Sequence, residues 1–231
     1  MEGIRACVFD AYGTLFDVHS AVGRLRPQIG THAGELSQLW RAKQLEYTWL
    51  RALMGRHADF WQVTGDALDY ALTRTGVDAA VRDPLLRAYL TLDAYAEVPE
   101  VLRRLRAAGL KLAILSNGAP AMLAAAVENA GIGGLLDAVL SVEEVGVFKP
   151  HPTVYRLAVD RLGVRADEIA FQSSNGWDVN GAACCGLRPV WINRSGAPAE
   201  RLPGAAEHEL RDLSGLPGLL AREVAPKEVA R

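Results

Sequence analysis

Residues Ala6–Leu15 read ACVFDAYGTL: four apolar residues in a row, an abrupt Asp10, then a short stretch with Tyr12, Gly13 and Thr14. A brief apolar run that ends at turn residues is the mark of a strand buried on both faces of a parallel sheet. Four more runs share this character: Leu110–Leu115, Ala138–Leu140, Ile169–Gln172 and Val190–Ile192. Segments with helical spacing separate them. Pro99 fits the first turn of a helix carrying Val101, Leu102 and Leu105 and ending at Gly109. Ser116 or Asn117 is a candidate cap for an Ala-rich helix from Ala119 to Ala130 that stops at Gly131. Lys149-Pro150-His151-Pro152 turns into a helix through Tyr155, Leu157 and Val159. The alternation predicts an α/β fold, a doubly wound, Rossmann-like parallel sheet.

One region breaks the rhythm. From Phe16 to Glu97 the patterns are helical throughout. Leu36, Trp40, Tyr47, Leu50 and Met54 fall on one stripe of a helix, while Arg41, Leu45 and Trp49 form a second row headed by a cation. A helix apolar on two sides is expected to pack on two sides. The simplest organisation places residues 1–15 and 98–231 in the α/β core and inserts 16–97 as a helical cap subdomain. The tail after Pro217, with Pro226, reads as a poorly anchored end.

Composition narrows the function. The chain has 231 residues, half of them hydrophobic and 23% charged, which suits a globular protein with a sizeable core. That length gives a prior of about 1.5 domains. Lys plus Arg number 25 against 27 Asp plus Glu, a net charge of −2 with no basic block. Nucleic acid and anionic membrane surfaces are therefore not expected partners. No apolar run approaches the ~20 residues a membrane helix needs, and Ala6–Phe9 is too short for a signal peptide. The three cysteines, Cys7, Cys184 and Cys185, make neither a disulfide framework nor a CxxC zinc pattern. Free thiols suggest a cytoplasmic location. Cys184 and Cys185 read as inert small apolar residues, and none of the five histidines has ligand spacing.

In open α/β sheets, ligands bind beyond the carboxyl ends of the strands. The polar residues there are Asp10, Tyr12 and Thr14 after the first strand and Ser116 and Asn117 after the second. Lys149 follows the third, and Ser173, Ser174, Asn175 and Asp178 follow the fourth. Together they supply one nucleophile candidate, one cation and several hydroxyl or amide donors.

VFDAYGTL at Val8–Leu15, SNG at Ser116–Gly118, FKP at Phe148–Pro150 and SSNGWD at Ser173–Asp178 resemble the four motifs of the haloacid dehalogenase superfamily, and more narrowly the L-2-haloacid dehalogenases. LWRAKQLEYTWLRALMG at Leu39–Gly55 resembles the cap of that family, so the similarity runs over nearly the whole chain. Two departures from the superfamily's phosphatases stand out. Tyr12 takes the place of their second aspartate, and Ser174 and Asn175 stand where paired acids would hold magnesium. A hard dication needs several oxygen ligands, so the resemblance implies no metal and no cofactor. A halide, moreover, leaves without needing a proton. A magnesium-dependent phosphatase acting on a small phosphorylated metabolite is the alternative reading.

The resemblance implies covalent catalysis on a small 2-haloacid. Asp10 attacks the α carbon and expels halide, and water then hydrolyses the ester. Lys149, steered by Asp178, keeps Asp10 ionised, and Thr14 supports it. Arg41 with Asn117 receives the halide. Ser116 and nearby backbone N–H groups hold the substrate carboxylate. Tyr12, Leu45, Phe60 and Trp177 wall the pocket, and Tyr155 stands in the family's relation to the lysine. Asp178, Asn175 and Ser173 all remain candidates for activating water. The apolar cap helix hints at a homodimer, as in the family.

Overall fold

The computed structural model describes residues 1–220. Strands β1 (Ala6–Phe9), β2 (Lys111–Ser116), β3 (Ala138–Ser141), β4 (Ile169–Ser173), β5 (Arg188–Ile192) and β6 (His208–Leu210) form one sheet in the order β3-β2-β1-β4-β5-β6, parallel throughout. The α/β fold expected from the apolar runs is present. Chain order runs one way from β1 to β3 and the other way from β4 to β6, so the reversal falls between β1 and β4. In a doubly wound sheet that is where a crevice opens at the carboxyl edge. Phe9 pairs with Ile114 on one side and Gln172 on the other, which places Asp10, Leu115 and Ser173 at one level.

All residues of β1 and β4 are buried, as are all but the first of β2. Burying each large apolar side chain contributes roughly 1.5–3 kcal/mol, which is why these runs were readable. β6 was not. Its sequence, HEL, is short and largely exposed at the sheet edge, with no apolar run to betray it.

The helices are α1 (Ser20–Arg24), α2 (Arg26–Ile29), α3 (Ala33–Met54), α4 (Phe60–Thr75), α5 (Arg82–Leu90), α6 (Val98–Ala107), α7 (Pro120–Asn129), α8 (Pro152–Leu162), α9 (Gly176–Cys184) and α10 (Leu216–Leu220). The first five make up the helical cap between β1 and α6. Among them α3 and α4 pack along one another. α3 ends at Gly55, whose left-handed φ of 61° closes the helix without a Cβ clash. α4 starts from Asp59, whose side chain accepts from Gln62 N at 2.8 Å. No helix among the described residues is long and apolar enough to cross a membrane.

Three expectations need correction. The buried line of α3 runs through Leu36, Trp40, Gln44 and Thr48, whereas Leu50 and Met54 are exposed, at 41% and 62%. Spacing alone does not distinguish a packed stripe from one that faces outward. Neither Ser116 nor Asn117 caps α7: its N-cap is Ala119, with Pro120 opening the first turn. The chain does not loosen directly after Pro217, since Leu216 and Leu220 of α10 are buried; Pro226 lies outside the described residues.

Candidate active site

Strand β1 delivers Asp10 to the reversal point, and pairing with β4 continues one residue further, Asp10 N donating to Gln172 O at 2.8 Å. The chain then turns at Gly13, where φ is 92°. The turn brings Thr14 back beside Asp10. Thr14 Oγ1 donates to Asp10 Oδ2 at 3.2 Å and accepts from Ser174 N at 2.8 Å, tying the two central strand ends together.

The two oxygens of Asp10 are unequally engaged. Oδ2 accepts from Thr14 Oγ1, from Ser173 Oγ at 3.4 Å and from Asn175 Nδ2 at 2.8 Å. Among the described residues, Oδ1 accepts only from Lys149 Nζ, at 3.1 Å. Lys149 is 1% exposed and also donates to Asp178 Oδ2 at 2.9 Å. Tyr155 donates to the other oxygen of Asp178 at 2.7 Å. The face of the Phe171 ring lies 5.0 Å from the ammonium.

Burying charges at this depth is tolerable only because each has a partner. Burial pulls the Lys149 ammonium toward its neutral form, but the Asp10 and Asp178 carboxylates outweigh it and hold its pKa above the ordinary lysine value. Burial pushes Asp178 above the usual carboxylate range, against the pull of Lys149. It also lifts the Tyr155 and Tyr12 phenols well above their ordinary value, so both keep their protons.

Asn117 Oδ1 accepts from Lys149 N at 3.0 Å, which aims the amide's NH₂ group away from the lysine backbone. Ser116 Oγ accepts from Gly118 N at 3.0 Å and keeps its own hydrogen to give. Gly118 lets the Tyr12 ring approach: a Cβ there would sit 2.7 Å from Tyr12 Cε2. The Tyr12 ring stacks on Tyr89 at 5.6 Å and meets Phe60 at 5.7 Å, while its hydroxyl has no hydrogen-bond partner among the described residues. Arg41, on α3, crosses from the cap to give Nη2 to Tyr12 O at 3.2 Å.

Asp10, Thr14, Lys149, Tyr155, Ser173, Asn175 and Asp178 thus form one hydrogen-bonded cluster, with Asn117 joined through the Lys149 backbone. Arg41 stands apart from it, bonded to the carbonyl of Tyr12, two residues after Asp10. Ser116 lies at the end of β2 without a bond to the cluster. Leu45 is half-buried on α3, one turn beyond Arg41. Trp177 packs edge-on against Trp49 of the cap at 5.4 Å. The sequence reading missed Gln44, Thr64 and Tyr89. A gap in the α3 stripe, four residues after Trp40, was the one available signal for Gln44; nothing singled out the other two.

The donor set does not suit a magnesium ion. The two carboxylates already share one ammonium, and a phenol stands two residues after Asp10. Among the described residues, no three His, Cys, Asp or Glu side chains gather as a ligand group.

A family model described as haloacid dehalogenase-like hydrolase matches residues 4–186. The chain is 49% identical over 224 residues to (S)-2-haloacid dehalogenase 1 of Pseudomonas sp. (strain CBS-3), covering 96% of this chain and 99% of that protein. It is 46% identical over 226 residues to (S)-2-haloacid dehalogenase 4A of Burkholderia cepacia, covering 97% and 98%. The solved L-2-haloacid dehalogenase of Xanthobacter autotrophicus with chloropropionic acid covalently bound superposes with a TM-score of 0.85 at 42% identity, covering 94% of this chain and 98% of that one.

Proposed function

Because the chain belongs to the haloacid dehalogenase-like hydrolases, we propose that it hydrolyses (S)-2-haloalkanoic acids to (R)-2-hydroxyalkanoic acids and halide, without a metal, through an ester on Asp10. The observation that carries this reading is the asymmetry of Asp10. A carboxylate oxygen that already accepts three hydrogen bonds is a poor nucleophile, whereas Oδ1, with a single donor, keeps electron density to give. Oδ1 attacks the α carbon from behind, forms the C–O bond and releases halide. Inversion follows from that geometry.

Oδ2 then becomes the ester carbonyl oxygen. Thr14, Ser173 and Asn175 already surround it as donors, so the negative charge that develops when water adds to the carboxyl carbon meets a prepared site. Of the candidates for activating water, Ser173 spends its hydrogen on Asp10 and Asn175 carries no basic atom. Asp178 remains, with burial raising its pKa toward the range useful for a base. Lys149 holds Asp10 ionised and Tyr155 positions Asp178.

Arg41 and the NH₂ group of Asn117 receive the halide. Ser116 and the first N–H groups of α7, which lack a side-chain cap, take the substrate carboxylate. Tyr12, Leu45, Phe60 and Trp177 enclose the alkyl chain. The working unit is a core of residues 1–15 and 98–231 under a cap of 16–97. Its exposed Leu50, Leu53, Met54 and Tyr70 are the surface we assign to a homodimer contact. Three free thiols fit a cytoplasmic setting.

Halide release from (S)-2-chloropropionate tests the reading. Release from the (S) but not the (R) enantiomer, unaffected by chelator and lost in Asp10→Asn, is expected. Turnover of a phosphomonoester in its place, dependent on magnesium, would overturn it.

A further inference from the structure

Gln44 sits inside the helical cap with 1% of its surface exposed, on the face of α3 where an apolar residue would ordinarily pack. A buried amide left unpaired is costly, and this one is fully used. Its Nε2 donates to Thr64 Oγ1 at 2.8 Å, and Thr64 Oγ1 in turn donates to Phe60 O at 2.6 Å. Because the Thr64 hydrogen goes to that carbonyl, its oxygen can only accept from Gln44. That fixes which end of the amide faces α4. The opposite end, Oε1, therefore faces inward, accepting from Tyr89 Oη at 3.1 Å and from Arg41 Nη1 at 3.4 Å. Burial lifts the Tyr89 phenol above its ordinary value, so it remains a donor.

We propose that Gln44 is a positioning residue for dehalogenation: its amide oxygen, oriented by Thr64 and Tyr89, holds one arm of the Arg41 guanidinium so that the remaining N–H groups point at the departing halide. The proposal rests on the dehalogenase reading above. Arg41 is anchored twice, by Gln44 from the cap and by Tyr12 O from the core. Two anchors on different arms fix the plane of a rigid fork. Without Gln44 the guanidinium swings on a single bond and its charge is no longer centred where negative charge develops. Charge aimed at a leaving group matters most for the poorer leaving group, so chloride suffers more than bromide.

The test compares single-turnover halide release from (S)-2-chloropropionate and (S)-2-bromopropionate in wild type, Gln44→Leu and Gln44→Glu. In Gln44→Leu, release from the chloro substrate is expected to fall roughly tenfold, the scale of one hydrogen bond to a charged group. Release from the bromo substrate should fall less, so the bromo-to-chloro rate ratio rises. Gln44→Glu keeps the shape and an acceptor for both Tyr89 and Arg41, at the cost of turning the Thr64 hydroxyl from Phe60 O to donate to the new carboxylate, so it serves should the leucine variant fail to fold. Its carboxylate neutralises the guanidinium, and the ratio should rise again. A merely structural role would lower stability or depress both rates equally. An unchanged ratio in a folded variant overturns the proposal. No halide release from wild type with either substrate defeats the dehalogenase reading itself.

Discussion

The Lys149 ammonium lies 3.1 Å from Oδ1 of Asp10, on the oxygen of that carboxylate that has no other donor among the described residues. The lysine therefore supports the nucleophile without crowding it. Its own position is secured elsewhere, by Asp178 on the side chain and by Asn117 on the backbone.

Removing that cation is expected to damage stability and activity through different routes. Lys149→Met leaves Asp10 and Asp178 facing one another in a buried site, and breaking such a pair is worth about 3–5 kcal/mol, less whatever Asp178 recovers by taking up a proton. Urea unfolding at neutral pH should show the loss. Adding Asp178→Asn should restore part of the stability, because no unpaired charge then remains beside Asp10. Turnover should stay absent in both. A double variant no more stable than the single one would show that the charges do not interact as the geometry indicates.

The pH dependence follows from the same cluster. Lys149 is held above the ordinary value of 10.5 when folded, so its contribution to stability is complete below that pH and is lost as pH rises through the folded value. Asp178 is raised above 3.8, so its ionisation opposes folding as pH climbs through its folded value. Unfolding experiments across the alkaline range should find wild-type stability falling more steeply above pH 10.5 than in Lys149→Met. The rate of 2-hydroxy acid release in a single turnover should decline on the acid side as Asp178 takes up its proton, at a pH above the ordinary aspartate value.

Gly118→Ala probes the aromatic wall. The added methyl would lie 2.7 Å from Tyr12 Cε2 and 3.0 Å from Leu123 Cδ2, so the Tyr12 ring must move. Overpacking of this kind costs about 1–3 kcal/mol. The expected result is a lower Tm together with a kcat/KM reduced roughly tenfold. Unchanged kinetics in the destabilised variant would place the Tyr12 ring outside the substrate pocket.

The sheet was legible where burial left a mark. β1, Leu112–Leu115 of β2 and Ile169–Phe171 of β4 are apolar runs because those residues are buried in the middle of the sheet, and Asp10 stood out because it ends one of them so sharply. β6 left no mark, being polar and at the edge. On α3 the spacing of Leu36, Trp40, Tyr47, Leu50 and Met54 suggested one buried stripe, yet the packed line bends through Gln44 and Thr48. Periodicity counts apolar residues and cannot register a polar one whose hydrogen bonds are met inside. Ser116 looked like a cap since serine is a common N-cap, but its oxygen accepts from Gly118 and the helix begins later, at Pro120. Contacts between residues distant in the chain, such as Trp49 with Trp177, left no local pattern at all.

One measurement bears most directly on the covalent scheme. Excess enzyme is given a single turnover of (S)-2-chloropropionate in ¹⁸O-water, and the peptide containing Asp10 is weighed by mass spectrometry. Attack by Oδ1 followed by water addition at the carboxyl carbon places the heavy oxygen in Asp10 and leaves the first-formed 2-hydroxy acid unlabelled. Heavy oxygen in the product with none in Asp10 would mean that water attacks the α carbon directly, and the role assigned to the Asp10 carboxylate would be wrong.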